Sequence, residues 1–110
     1  MDFKLLSKIE YLIEYVDVYV FSSFPSADKP LKEKLESYLY GLLETCSLAN
    51  VNTSSIRNKY QKEMLSKIVV IDFLLGYTLD KGIIKSTRFY TLINFLNEIR
   101  SMTYGWLNEK

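Results

Sequence analysis

The sequence predicts an all-α protein, an antiparallel up-down bundle of four helices. Apolar residues recur every three or four positions through long stretches, and only four glycines and two prolines interrupt them. Because short polar segments join these stretches, neighbouring helices should run in opposite directions. A length of 110 residues, with 48% apolar and 25% charged residues, fits one globular domain that covers residues 1–110.

The first two helices are predicted at about residues 3–22 and 29–49. The first ends at SSFPSADKP, whose two prolines cannot continue a helix, and the second begins with proline in its first turn. The apolar stripe of the first helix is Leu5/Leu6, Ile9, Leu12/Ile13, Val16 and Val20. The stripe of the second helix is Leu31, Leu35, Leu39, Leu42 and Cys46. Each stripe indicates one buried helix face.

The last two helices are predicted at about residues 54–80 and 86–108. Ser54 or Ser55 should cap the third helix, Gly82 should end it in the left-handed conformation, and Ser86 should cap the fourth. The third stripe is Met64, Ile68, Ile71, Leu75 and Leu79. The fourth is Phe89, Leu92, Leu96, Ile99, Thr103 and Trp106.

Apolar and tyrosine side chains exceed what one small bundle buries, which favours a homo-oligomer. A monomer with exposed tyrosines is the alternative. The candidates for core or subunit-interface positions are Tyr11, Tyr15, Tyr19, Phe73 and Trp106. Trp106 should be largely buried against its own bundle end or a neighbouring subunit, and Gly105 beside it would let another backbone approach closely.

The residue inventory argues against an enzyme. Histidine is absent, and the single cysteine, Cys46, has neither an activating partner nor a second thiol for a zinc site. Cys46 is expected to be a small buried helix residue. The sequence also lacks a glycine-rich phosphate loop. From these absences together, we expect no metal and no cofactor. With no signal peptide or membrane span in view, we expect a cytoplasmic protein.

The charge pattern offers one candidate nucleic-acid surface. Net charge is +1, but the first helix is acidic and the start of the third is basic. The candidate phosphate contacts are Arg57, Lys59, Lys62 and Lys67. The three tyrosines of the first helix could stack bases, but the acids around them favour packing contacts instead.

Three stretches in order resemble the accessory variability determinant (Avd) family of diversity-generating retroelements and the related four-helix proteins encoded in ribosomal-RNA intervening sequences. They are YLIEYVDVYVFSSFP, RNKYQKEMLSKIVVIDFLLGYTLDKGII and EIRSMTYGWLNEK. The resemblance implies a non-catalytic four-helix protomer in a pentameric barrel, which partners a reverse transcriptase and binds RNA or DNA through basic surface.

The third helix departs from the family pattern at Asp72 and Gly76, where arginines are usual, and at Lys62, where an acid is usual. Two functions therefore stay open. One is an Avd-like accessory protein that binds a reverse transcriptase and nucleic acid. The other is a scaffold of the intervening-sequence type with a protein partner and no nucleic-acid binding.

Overall fold

The computed structural model describes residues 3–109, in which four helices lie together and no strand occurs. The helices are α1 (Phe3–Tyr19), α2 (Lys29–Val51), α3 (Ser54–Asp80) and α4 (Ser86–Leu107). Two short 3₁₀ turns, Phe21–Ser23 and Ser26–Asp28, connect α1 to α2. The predicted all-helical fold with four helices is confirmed.

The four helices form a closed ring around one core. Each helix packs on the next in sequence, and α4 returns to pack on α1, so α1 and α3 occupy diagonal corners. Neighbouring helices run in opposite directions, as contacts at both ends of the bundle show. Lys81, just after α3, pairs with Asp28, just before α2, at 2.9 Å. At the other end, Trp106 near the end of α4 lies against Arg57 near the start of α3. The bundle measures 44 × 23 × 19 Å.

The core is built from the predicted stripes. Every residue of the first stripe except the partly buried Leu6 is buried, as are most residues of the other three. Threonine and glutamine join the apolar residues inside, and the buried threonine hydroxyls donate to the carbonyl one turn earlier in the same helix. This arrangement satisfies the hydroxyl without a partner from another helix.

The helix ends differ from the sequence prediction in two respects. The helix α1 ends at Tyr19 rather than near residue 22, because the buried Phe21 starts a 3₁₀ turn. Neither Ser54 nor Ser86 is a cap: the first backbone bonds of α3 and α4 are accepted by the carbonyls of Thr53 and Lys85. Neither of these two residues makes a side-chain capping bond. Gly82 does adopt the predicted left-handed conformation, with φ of 75°.

Candidate interaction surfaces

Arg57, the first of the four predicted phosphate contacts, is engaged by groups of its own bundle. Its Nε donates to the carbonyl of Ala49 at 2.9 Å, and its Nη2 donates to the carbonyl of Asn50 at 3.1 Å. Its guanidinium also lies 5.4 Å from the centre of the Trp106 ring. Arg57 therefore satisfies carbonyls at the end of α2, where a helix has no backbone donors of its own, and joins α2, α3 and α4.

The three lysines of the predicted surface fall into two environments. Lys67 is half-buried, and its aliphatic chain lies against α2, 3.1 Å from where a Cβ on Gly41 would stand. Lys59 and Lys62 are exposed on α3, less than one turn apart. The Lys59 ammonium lies 5.5 Å from the Tyr60 ring centre. The structure thus brings two of the four predicted cations together on the open surface.

The three predicted tyrosines follow the seam between α1 and α4. Phe95 of α4 meets Tyr11 edge to face at 5.2 Å and Tyr15 at 5.6 Å between ring centres. Arg88 donates a 2.8 Å hydrogen bond to the Tyr15 hydroxyl oxygen and lies 4.4 Å from the Tyr19 ring centre. These tyrosines therefore hold two helices of one bundle together. The periodicity of the sequence gave no indication of the role of Arg88.

The outward side of α3 carries a row of solvent-exposed apolar side chains. Val69, Phe73 and Tyr77 are spaced four residues apart and are 63%, 67% and 45% exposed. The rings of Phe73 and Tyr77 stack with their centres 6.1 Å apart. Beside the two rings, an open cavity of about 380 Å³ reaches Leu31 and Lys34 on α2. Phe73 is the predicted interface residue that the bundle itself uses least.

The outward side of α1 carries an acidic row. Glu10, Glu14 and Asp17 are exposed, and their spacing of four and three residues places them along one side of the helix. Within residues 3–109, none of the three makes a hydrogen bond or an ion pair. Tyr11 and Val18, 54% and 59% exposed, lie beside this acidic row.

Trp106 is 6% exposed, so the expected burial is confirmed, and its own bundle provides the contacts. The expected close approach at Gly105 does not occur within the chain, since a Cβ added there would meet no atom within 4 Å. Nearby, Gln61 is 1% exposed, and its Oε1 has no hydrogen-bond partner within residues 3–109. The bundle end around Trp106 thus holds a polar atom whose burial is uncompensated.

The chemistry of the remaining side chains is limited. Cys46 is fully buried, and burial raises the pKa of its thiol to about 11, which keeps it protonated near neutral pH. Asp72, at a position where the family pattern has arginine, pairs with Arg100 of α4 at 2.9 Å. Among the described residues, no group of three or more carboxylates and thiols is placed to hold a metal ion.

None of the helices in residues 3–109 is both long and apolar enough to cross a bilayer. Comparison of the chain with protein-family models, with curated proteins and with solved structures finds no match.

Proposed function

We propose that this chain is a non-catalytic accessory protein that works by association. As the resemblance to Avd implies, it would assemble with copies of itself as a homopentamer, engage a reverse transcriptase, and contact RNA or DNA in the cytoplasm. The observation that supports this proposal best is the outward side of α3. There the exposed Lys59 and Lys62 continue into the exposed row of Val69, Phe73 and Tyr77. A protein that functions by binding other molecules needs an exposed face of this kind, whereas an enzyme that works through a catalytic pocket does not.

The nucleic-acid part of the proposal rests on Lys59 and Lys62. Arg57 is bound to carbonyls of α2, and Lys67 lies in the α2–α3 seam, so these two contribute less to a phosphate contact. Two phosphate contacts predict a weak interaction with a shallow salt dependence, because the slope of log affinity against log salt scales with the number of contacts.

The test is retention of a labelled single-stranded RNA on filters across a salt series. The double variant Lys59→Glu/Lys62→Glu should lose retention at low salt and reduce the slope of log affinity against log salt by about two. Lys85→Glu, which reverses an exposed cation in the loop before α4, is the matched control and should keep the slope. Equal retention by the double variant and the wild type would overturn the nucleic-acid part.

A protein-only scaffold is the second candidate, and the engagement of Arg57 favours it. A cation that satisfies two main-chain carbonyls and an aromatic ring serves the fold rather than a phosphate backbone. This candidate expects wild-type protein to show no salt-sensitive retention of RNA or DNA. Salt-sensitive retention that disappears in the Lys59→Glu/Lys62→Glu variant would reject it.

A further inference from the structure

The two faces that the bundle leaves uncovered have opposite charge. We define the α3 outer face as Lys59, Lys62, Val69, Phe73 and Tyr77. We define the α1 outer face as Glu10, Tyr11, Glu14, Asp17 and Val18. Each face combines exposed charges of one sign with exposed apolar side chains.

We propose that the α3 outer face binds the α1 outer face of a second copy of this chain. The occupant is indicated by charge complementarity within the molecule: three carboxylates without partners in the described residues face out on α1, and two exposed ammonium groups face out on α3. The inference rests on the proposed function, in which copies of the chain assemble, and it assigns the two faces that meet.

The orientation of the helices agrees with this pairing. Because neighbours in the ring are antiparallel, the diagonal helices α1 and α3 run in the same direction within one bundle. A second copy that keeps its bundle axis aligned with the first therefore presents its α1 parallel to the α3 it meets. The two faces lie on different helices of the bundle, so the contact is head-to-tail. An open chain of copies then keeps one free face of each kind, one at each of its ends, until it closes into a ring.

The spacing along the two helices also agrees with a parallel contact. At about 1.5 Å per residue, Glu14 and Val18 lie about 6 and 12 Å beyond Glu10 on α1, and Lys62 and Val69 lie about 4.5 and 15 Å beyond Lys59 on α3. A parallel register that sets Glu10 opposite Lys59 therefore sets Glu14 near Lys62, and it brings Val18 within about 3 Å of Val69 along the helix axis.

The assembly test is charge reversal with rescue, read as mass by light scattering over a concentration series. Wild-type protein should give a mass above that of one chain. The acid-reversed variant, Glu10→Lys/Glu14→Lys/Asp17→Lys, and the cation-reversed variant, Lys59→Glu/Lys62→Glu, should each associate at least about tenfold more weakly. A combined variant that carries all five reversals should recover the assembled mass, because its reversed α1 face meets an oppositely charged α3 face in every contact.

Two substitutions serve as matched controls. Glu44→Lys and Lys85→Glu reverse exposed charges on α2 and in the loop before α4, away from both faces, and should keep the wild-type mass. Far-UV circular dichroism shows whether each variant folds. Val69→Ala adds an uncharged test: it should weaken assembly while leaving RNA retention at the wild-type level, since phosphate contacts do not use that side chain.

The outcomes separate this inference from the function on which it rests. An assembled mass that neither reversal changes, or one that both reduce but the combined five-fold variant does not restore, overturns the pairing of these faces and leaves the oligomer standing. A wild-type mass of one chain at every concentration overturns both the pairing and the oligomeric part of the proposed function. Loss of RNA retention without loss of mass in the cation-reversed variant assigns the two lysines to nucleic acid and also overturns the pairing.

Discussion

Two rows of side chains with the same four-residue spacing make different contacts in this bundle. The α1 row is Tyr11, Tyr15 and Tyr19, and the α3 row is Val69, Phe73 and Tyr77. On α1, two side chains of the neighbouring helix α4 lie over the row: the Phe95 ring meets two of the tyrosines and the Arg88 guanidinium meets two. On α3, the Phe73 and Tyr77 rings stack on each other, and the Lys81 ammonium lies 5.3 Å from the Tyr77 ring centre.

The difference shows that spacing and coverage are separate properties. A repeat of four residues places side chains on one side of a helix, but where that side points depends on its angle to the core stripe. The α1 row lies beside its stripe, within reach of α4. The α3 row lies almost opposite its stripe and points away from the core. The whole α3 row is therefore a candidate for contact with another molecule, whereas in the α1 row Tyr11 alone belongs to the α1 outer face.

The largest test of this comparison is the removal of a fully covered ring. Trp106→Ala should lower the free energy of unfolding by about 3–5 kcal/mol, since it leaves a cavity at the bundle end and removes the ring under Arg57. Urea denaturation followed by far-UV circular dichroism measures this without the lost fluorophore. Tyr104→Ala, at a 50% exposed position on the same helix, is the control and should change stability by less than about 1 kcal/mol. A Trp106→Ala loss below that level would contradict the burial.

The next test concerns the side chains that cover the α1 row. Arg88→Met should cost about 2 kcal/mol, because it removes both the hydrogen bond to the Tyr15 hydroxyl and the contact with the Tyr19 ring. Tyr15→Phe, which removes only the hydroxyl, should cost less. In a double-mutant cycle, the two losses should be less than additive, since they share one hydrogen bond. Strict additivity would mean that this bond does not form in solution.

The sequence predicted the elements of this fold because periodic stripes and proline positions are local signals. The stripe of α1 and the proline-containing start of α2 follow directly from them. The capping residues of the helices were harder to predict from the sequence. A serine at position 54 or 86 is the usual capping residue, yet here the chain enters each helix one residue earlier, at Thr53 and Lys85.

The candidate sites were only partly predictable, because the use of a charged side chain depends on contacts distant in sequence. Arg57 and Lys59 are two residues apart and looked alike in the sequence, but Arg57 reaches carbonyls at the end of α2 and Lys59 reaches none. Periodicity likewise could not place Arg88 over the tyrosines, a contact that spans 73 positions. Tertiary partners, rather than residue type, separate the free cations from the engaged ones.

A polar atom inside the covered region gives a smaller effect of the opposite sign. Gln61→Met should raise the free energy of unfolding by about 1 kcal/mol, because it replaces a buried acceptor without a partner by an apolar chain of similar size. Thermal denaturation is a sufficient measurement. Asn58→Met, at an exposed position one turn earlier, is the control and should bring no gain. If Gln61→Met destabilised the protein instead, the oxygen would have a partner in solution, such as a buried water molecule.

The smallest effect is expected in the α3 row, whose side chains are exposed, in contrast to the buried Trp106. Phe73→Ala should change the stability of the single chain by no more than about 0.5 kcal/mol in either direction. The ring is 67% exposed and stacks only on Tyr77, so little burial is lost. Alanine also has the higher helix propensity, by roughly 0.5 kcal/mol, which offsets the lost stacking. Urea denaturation, at protein concentrations where the chain is monomeric, measures this change in the free energy of unfolding without a contribution from assembly. A loss near that of Trp106→Ala would place the Phe73 ring inside the bundle and remove the basis for an outward docking face on α3.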